Sequence, residues 1–255
     1  MEDKDQKLQE LQNECAILKK ELVVRDAISE GLGLASRPPY LCHLESISEH
    51  GYHEYIGSPE YCHKAIQAFI WRVIVEEVLS KFESVGRENS KHFLQLSRYL
   101  QPARRNHSGT QLSRQESEAE RKFHTWRATT TGLFLEHINT EKVDSYIRQR
   151  ASQHAQEVIN ALHNLIDIEE VNEFKDQLAT IIYEAFELDR EVSRQSACVT
   201  WQFRQTQHEK TSGQTQKHGN VGLVISPAVL KRGKSTGECF DQEMILLRAE
   251  IDFRE

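Results

Sequence analysis

Cysteine and histidine residues are concentrated between residues 42 and 63, and thiol and imidazole groups are ligands that zinc prefers. A structural zinc site takes its ligands in closely spaced pairs, and only His50-x-x-His53 has this spacing. Cys62 would also lie inside the helix predicted after Pro59. We therefore predict polar, partly buried loop residues and no metal or other cofactor, with a zinc site as the alternative. The residues concerned are Cys42, His43, His50, His53, Cys62 and His63.

The segment Lys231–Thr236 ends in the letters GKST, as a phosphate-binding P-loop does. That motif requires a glycine five residues before Gly233, where this chain has Ala228. It also requires a following helix, because the helix N-terminus binds the phosphate. Here a strand pattern follows, so we predict a basic turn and no nucleotide site.

Motifs of hydrolytic chemistry are missing, since the sequence has neither G-x-S-x-G nor H-E-x-x-H. Helical di-metal sites use Glu-x-x-His, but here His124 follows Glu120 by four residues. The many acids after Asp167 flank an apolar stripe and are interpreted as solvent-exposed. The sequence therefore predicts no catalytic residues and favours a non-enzymatic protein.

Positive charge is concentrated between Arg98 and Arg127, where seven Lys or Arg residues accompany three acids. The simplest interpretation is complementarity with the acidic stretch Asp167–Glu191, or exposure to solvent. The alternative is that segment 98–127 contacts nucleic acid or phosphate groups.

Two serines lie in settings that protein kinases commonly use. Ser108 follows the basic residue Arg105, and Ser226 precedes Pro227. Short strings of this kind also occur often by chance, so phosphorylation of either serine is a hypothesis.

The chain has 255 residues and a net charge of −7, with 38% hydrophobic and 28% charged residues. This balance argues against nucleic-acid or anionic-membrane binding along the whole chain. Residues 1–12 lack the apolar run of a secretory signal, and no segment approaches the roughly 18 apolar residues of a membrane span. We therefore expect an intracellular protein, cytoplasmic or nuclear, with five reduced cysteines and no membrane partner.

An apolar seam marks the N-terminal segment, residues 1–30. Its members are alternately three and four residues apart, which is the coiled-coil a/d pattern, over about three heptads. So short a coiled coil is marginal by itself. The seam therefore predicts a helix that packs on the rest of the chain, on a second copy or on a partner protein. The seam consists of Leu8, Leu11, Cys15, Leu18 and Leu22.

The fold is predicted to be mainly α-helical, because only 5 prolines and 12 glycines interrupt the chain. We predict a loop at 31–57, a bundle of about five long helices at 58–204, a flexible linker at 205–220 and a two-strand β segment at 221–255. In the last segment apolar residues alternate, as is typical of strands. The two strands are predicted near Val221–Ile225 and Ile245–Phe253.

Helix boundaries are predicted from residues that commonly cap helices. One helix is expected from Pro59 to Val85, and Ser113 with Glu116 forms a capping box that begins another. Thr140 is predicted to cap the helix after that.

The most regular apolar pattern lies between Asp167 and Phe203 and predicts one long helix with a continuous stripe. Asp167 with Glu170 forms a capping box at its start. A tight turn before Asp167 is favoured over fusion with the preceding helix, because antiparallel helices bury both stripes. Residues beyond Gln195 would need cover from the C-terminal strands or from a partner. The stripe consists of Val171, Phe174, Leu178, Ile181, Ala185, Leu188, Val192 and Val199.

Together these patterns favour a non-enzymatic helical protein that binds other proteins as an adaptor, or itself through the N-terminal seam. One alternative is a regulator that contacts nucleic acid or phosphate groups through 98–127. The other is a ligand-binding or enzymatic helical bundle without a recognisable motif. The first hypothesis is preferred because the chain has two heptad-like seams and no catalytic motif.

Overall fold

The computed structural model describes residues 40–48, 52–79, 81–85, 87–102, 113–163, 171–203 and 221–253. This part of the chain is mainly helical with a small β part at the C-terminus, which confirms the predicted class. The N-terminal seam lies outside the described residues. The helices are α1 (Leu41–Glu45), α2 (His53–Ile56), α3 (Pro59–Val73), α4 (Arg87–Leu100), α5 (Arg114–His137), α6 (Thr140–Leu162) and α7 (Val171–Ser193).

The segment predicted as a loop contains two short helices in its described part. Leu44 of α1 and Tyr55 of α2 belong to the main hydrophobic core, with 0% and 1% of their surface exposed. Helices of five and four residues are too short to show an apolar period, so the sequence pattern did not indicate them.

Helix α3 begins as predicted, with Pro59 at the first position, where a missing N–H costs nothing. Its α-helical part ends at Val73 and continues as one π-helical turn, Ile74–Val78. Four β-branched residues between 73 and 78 lower the helix propensity here. The predicted helix to Val85 is therefore too long, and Glu83–Val85 forms a separate 3-10 turn.

The capping residues of the next helices are partly as predicted. Ser113 and Glu116 form the capping box of α5, because the Ser113 hydroxyl accepts from the Glu116 N–H and the Glu116 carboxylate accepts from the Ser113 N–H. For α6 the capping residue is Asn139, whose side-chain oxygen accepts from the Lys142 N–H at 3.0 Å. The prediction of Thr140 was wrong by one residue.

Helices α6 and α7 pack side by side in opposite directions. Arg190 near the end of α7 pairs with Asp144 near the start of α6 at 3.0 Å. Ile147 of α6 and Ile182 of α7 lie in the same core. The two helices are therefore separate elements, as favoured from the sequence, while the predicted turn and capping box at Asp167 lie outside the described residues.

The buried face of α7 differs from the predicted stripe. Ile181 and Leu188 are 48% and 44% exposed, whereas their neighbours Ile182 and Asp189 are 0% and 3% exposed. The prediction counted apolar residues only, and Asp189 is a polar residue on the core face. It lies there because the Ser84 hydroxyl donates to its carboxyl group. The buried stripe is therefore rotated around the helix relative to the prediction.

Helix α7 ends at Ser193, so the predicted helix is too long at its C-terminal end. Strand β1 (Cys198–Gln202) occupies the rest of that segment. The carbonyl groups of Gln195 and Ala197 accept hydrogen bonds from the buried Arg127 side chain, which satisfies main-chain groups after the last helical turn. Cover beyond Gln195 does come from the C-terminal segment, because one of its strands pairs with β1.

The C-terminal segment contains four strands where two were predicted, and they form one long antiparallel hairpin. Proline has no N–H for the strand ladder, and Pro227 divides the first arm into β2 and β3. Residues 248–249 divide the second arm into β4 and β5. The pairs β2–β5 and β3–β4 keep nearly the same register, so the two sheets are halves of one bent ribbon. The strands are β2 (Val221–Ser226), β3 (Ala228–Arg232), β4 (Glu243–Leu247) and β5 (Glu250–Phe253).

The ribbon is attached to the helices along β1, β2 and β5. Strand β1 pairs with β3, which gives a three-stranded sheet in the order β1-β3-β4. Leu223 and Ile225 of β2 enter the helical core, and Lys64 of α3 pairs with Asp252 of β5 at 3.1 Å. Strand β4 is thereby left at the outer edge of its sheet.

Candidate functional site

The predicted N-terminal seam (Leu8, Leu11, Cys15, Leu18 and Leu22) lies outside the described residues, so its pairing stays a prediction. Ser108 lies outside them as well. Ser226 is the last residue of β2, and its hydroxyl accepts a hydrogen bond from the Glu250 N–H at 3.3 Å. Of these predicted sites the described structure therefore places only Ser226, at the bend of the ribbon.

The Cys/His-rich stretch 42–63 does not assemble a metal site in its described part. His43 lies between two carboxylates, 3.2 Å from Glu76 and 3.2 Å from Glu77. Cys42 on the same helix is exposed, and Cys62 lies within α3. No three ligand side chains converge among the described residues of this stretch.

Several cations of the basic segment 98–127 are engaged within the protein. Arg121 donates two hydrogen bonds to Glu118 at 2.7 and 2.8 Å, and Lys122 lies 3.7 Å from the same carboxylate. Arg127 is 8% exposed and donates to main-chain carbonyls. These contacts neutralise or bury three of the cations on which a phosphate-binding surface would depend.

The GKST string occupies the turn between β3 and β4, so the element after it is a strand, as expected from the sequence. Gly233 has φ +76°, a conformation that favours glycine, and a Cβ added there would lie 2.8 Å from the Phe240 ring. Lys231 donates to the Ser235 hydroxyl at 3.0 Å. The string therefore shapes the tip of the ribbon and does not begin a helix.

Strand β4 presents four consecutive exposed apolar side chains, Met244–Leu247, which are between 46% and 63% exposed. Successive strand residues point to opposite sides, so both faces of β4 are apolar and open to solvent. Edge strands are usually protected by charged residues or proline, and none occurs between Met244 and Leu247. Within the described residues, β4 pairs with β3 alone and has no strand on its other side.

The two ends of β4 carry opposite charge. Glu243 begins the strand and pairs with Arg232 of β3 at 2.7 Å. Arg248 directly follows the strand. An extended segment that lies antiparallel along β4 would thus meet a basic residue at one end and an acidic residue at the other.

Sequence reasoning missed this surface although its pattern was visible. The sequence pattern predicts a strand near Ile245–Phe253 from alternating apolar residues, among them Ile245 and Leu247. Met244 and Leu246 are apolar too, so the alternation does not hold within β4. Apolar residues on both faces indicate a strand that is covered on both sides, and here the chain's described residues leave both sides exposed.

A small cavity lined by charged side chains lies inside the molecule, where α5, α7 and β1 meet. Arg127 and Asp189 line a cavity of about 40 Å³ together with Trp201. A water molecule needs about 10–15 Å³ by this measure, so the cavity can hold water but no sizeable substrate. Desolvation lowers the pKa of Arg127, and burial raises the pKa of Asp189. This arrangement supports the junction and offers no room for a reaction.

Comparison with known proteins gives no match: no family model, no curated protein and no solved structure corresponds to this chain. No helix in the described part of the chain has the length and apolar character needed to cross a membrane. Function is therefore argued from the surfaces and side chains themselves.

Proposed function

We propose that the protein is a non-enzymatic interaction protein, an adaptor that self-associates by pairing the outer edge of β4 with β4 of a second copy. The observation that carries the proposal is the exposed run Met244–Leu247 at the edge of a sheet. An edge strand adds another strand readily because its main-chain groups are already extended. Burial of the apolar side chains against the added strand supplies further free energy.

The charges at the two ends of β4 favour a second copy as the partner strand. In an antiparallel pair with its twofold axis at the centre of Met244–Leu247, Glu243 of one copy faces Arg248 of the other. The same register places apolar residues opposite apolar residues from Met244 to Leu247. A twofold pair therefore brings opposite charges together at both ends, in addition to the contact of Glu243 with Arg232 of its own chain, whereas an unrelated extended segment would do so only with the same arrangement of charges.

The expected association is weak when β4 acts alone. A stable interface takes about 20–30 residues from each partner, whereas β4 contributes five. We therefore expect a dimer whose population rises with protein concentration. The predicted N-terminal seam, Leu8–Leu22, would add a second contact with the same copy or with a partner protein.

Light scattering after size-exclusion chromatography tests the proposal on the full-length protein over a series of concentrations. The wild-type mass should rise from monomer towards dimer. The double variant Met244→Lys/Leu246→Lys should remain monomeric, because pairing would bury its two charges. Leu133→Lys is the matched control, since Leu133 is 53% exposed on α5 and should leave the association unchanged.

Two outcomes overturn the proposal. One is a wild-type protein that stays monomeric throughout the series, and the other is a double variant that associates as the wild type does. A chain lacking residues 1–30 separates the two surfaces. If the shortened chain is monomeric while the Met244→Lys/Leu246→Lys variant still dimerises, self-association belongs to the N-terminal seam and not to β4.

A further inference from the structure

Three side chains of zinc-ligand type converge where α5 meets β1. Glu120 and His124 lie one turn apart on α5, and Cys198 is the first residue of β1. One ligand atom from each, a carboxylate oxygen, a ring nitrogen and the thiol sulfur, lie within 4.8 Å of one another. Among the described residues, this is the one group of three or more such side chains at this separation.

We propose that Glu120, His124 and Cys198 bind a Zn²⁺ ion. Zinc binds oxygen, nitrogen and sulfur ligands at about 2.0–2.3 Å in tetrahedral geometry, which places ligand atoms roughly 3.5 Å apart. Because the ligand atoms lie within 4.8 Å of one another, closing the group around an ion needs side-chain movements of about 1 Å, which small χ rotations of the three side chains supply. The mixed thiolate and imidazole set selects zinc over magnesium or calcium, which take oxygen ligands.

Two of the three side chains lie in the interior beneath an aromatic cover, and the third, Glu120, is partly exposed. His124 and Cys198 are 6% and 4% exposed. Phe240, from the turn between β3 and β4, stacks on the His124 ring with 5.7 Å between ring centroids. Phe240 is itself 2% exposed, so the ribbon tip shields the His124 ring from solvent. Exclusion of water strengthens the attraction between a cation and its charged ligands.

Arg127 positions the cysteine ligand. Its guanidinium donates hydrogen bonds to the carbonyl oxygens of Gln195 and Ala197 at 3.1 and 3.0 Å, and so holds the chain directly before Cys198. A buried side chain therefore fixes the main chain that leads into Cys198, whose thiolate form is the one that zinc binds.

The charges balance when the ion binds. Cys198 loses its thiol proton to solvent and Glu120 is ionised, so two negative ligands neutralise Zn²⁺ while His124 stays neutral. Three protein ligands leave the fourth tetrahedral position to a water molecule. The bound ion would join α5 to β1 and hold the ribbon against the helices.

Titration of the metal-stripped full-length protein with Co²⁺ tests the proposal directly. We expect one Co²⁺ per chain, with the visible absorption of a tetrahedral site and a thiolate charge-transfer band, and displacement by Zn²⁺. Cys198→Ser should lose the charge-transfer band, and Glu120→Gln and His124→Gln should lose tight binding. Cys62→Ser is the matched control, because Cys62 is a half-buried thiol elsewhere, and should bind as the wild type does.

The wild-type titration needs no variant to fold and is decisive by itself. Absence of a thiolate band in the wild type overturns the proposal. So does a Cys198→Ser protein, folded by circular dichroism, that keeps the band, or a Cys62→Ser protein that loses it. Zinc should also raise the melting temperature of the wild type and of Cys62→Ser but not of Cys198→Ser.

Discussion

The hydroxyl of Ser84 donates a hydrogen bond of 2.9 Å to the carboxyl group of Asp189, which is only 3% exposed. Burial raises the pKa of this carboxyl group from 3.8 to about 7, although the Ser84 hydrogen bond and the Arg127 charge both lower it. Between about pH 4 and pH 7 the folded protein therefore holds a proton that the unfolded chain has lost. Protonation of Asp189 therefore stabilises the folded protein. This contribution to the free energy of unfolding is complete below about pH 4 and is lost as the pH rises to 7.

Asp189→Asn should remove this pH dependence, because asparagine is neutral and keeps an oxygen that accepts from Ser84. Relative to the variant, we expect the wild-type free energy of unfolding to fall by about 1.4 kcal/mol per pH unit between roughly pH 4 and pH 7. Urea denaturation at a series of pH values measures the difference. Asp176→Asn, at an exposed position on the same helix, should follow the wild type. If the difference in unfolding free energy between the wild type and Asp189→Asn does not change with pH, the expectation is contradicted.

Two adjacent isoleucines on α7 test which face of the helix is buried. Ile182→Ala should cost about 2–5 kcal/mol of unfolding free energy, because Ile182 is 0% exposed and its truncation leaves a cavity. Ile181→Ala changes the same side chain at a position that is 48% exposed and should cost no more than about 0.5 kcal/mol. Chemical denaturation of both variants gives the comparison. A larger loss of unfolding free energy for Ile181→Ala than for Ile182→Ala would support the buried stripe predicted from the sequence.

The long helices could be predicted because each turn that packs on a core leaves an apolar residue at regular spacing. In α6, Val143, Ile147 and Val158 recur at helical spacing and are all buried. In α7 the spacing misled, because the core face holds Asp189. A polar residue that is buried against a hydrogen-bond donor leaves no apolar pattern in the sequence.

The grouping of site residues could be predicted only within one element. The spacing of Glu120 and His124 places both on one face of a helix, but comparison with Glu-x-x-His alone set this pair aside. Cys198 joins them through the tertiary fold, and no local spacing records that contact. The helix continuation predicted for the region of Cys198 also hid it, because the chain there pairs with β3 as a strand.

Arg127→Met should destabilise the junction between α5 and β1. The change leaves the carbonyl oxygens of Gln195 and Ala197 without their buried donor, and we expect a loss of about 3 kcal/mol in unfolding free energy. Arg121→Met is the matched control on the same helix, because Arg121 pairs with Glu118 at the surface and its loss should have little effect. Equal effects of the two substitutions, measured by urea denaturation, would show that the buried hydrogen bonds contribute little.

Two glycines should respond in opposite directions to the same substitution. Gly132 lies within α5, and outside its own helix backbone no atom of the described residues lies within 4 Å of an added Cβ, so Gly132→Ala should stabilise the protein by about 1 kcal/mol through helix propensity. Gly237, at the ribbon tip, has φ +88°, which side chains with a Cβ rarely adopt. Gly237→Ala should therefore cost roughly 1–2 kcal/mol. Thermal unfolding of both variants measures the two shifts, and a stabilised Gly237→Ala protein would mean that the tip does not hold this backbone conformation in solution.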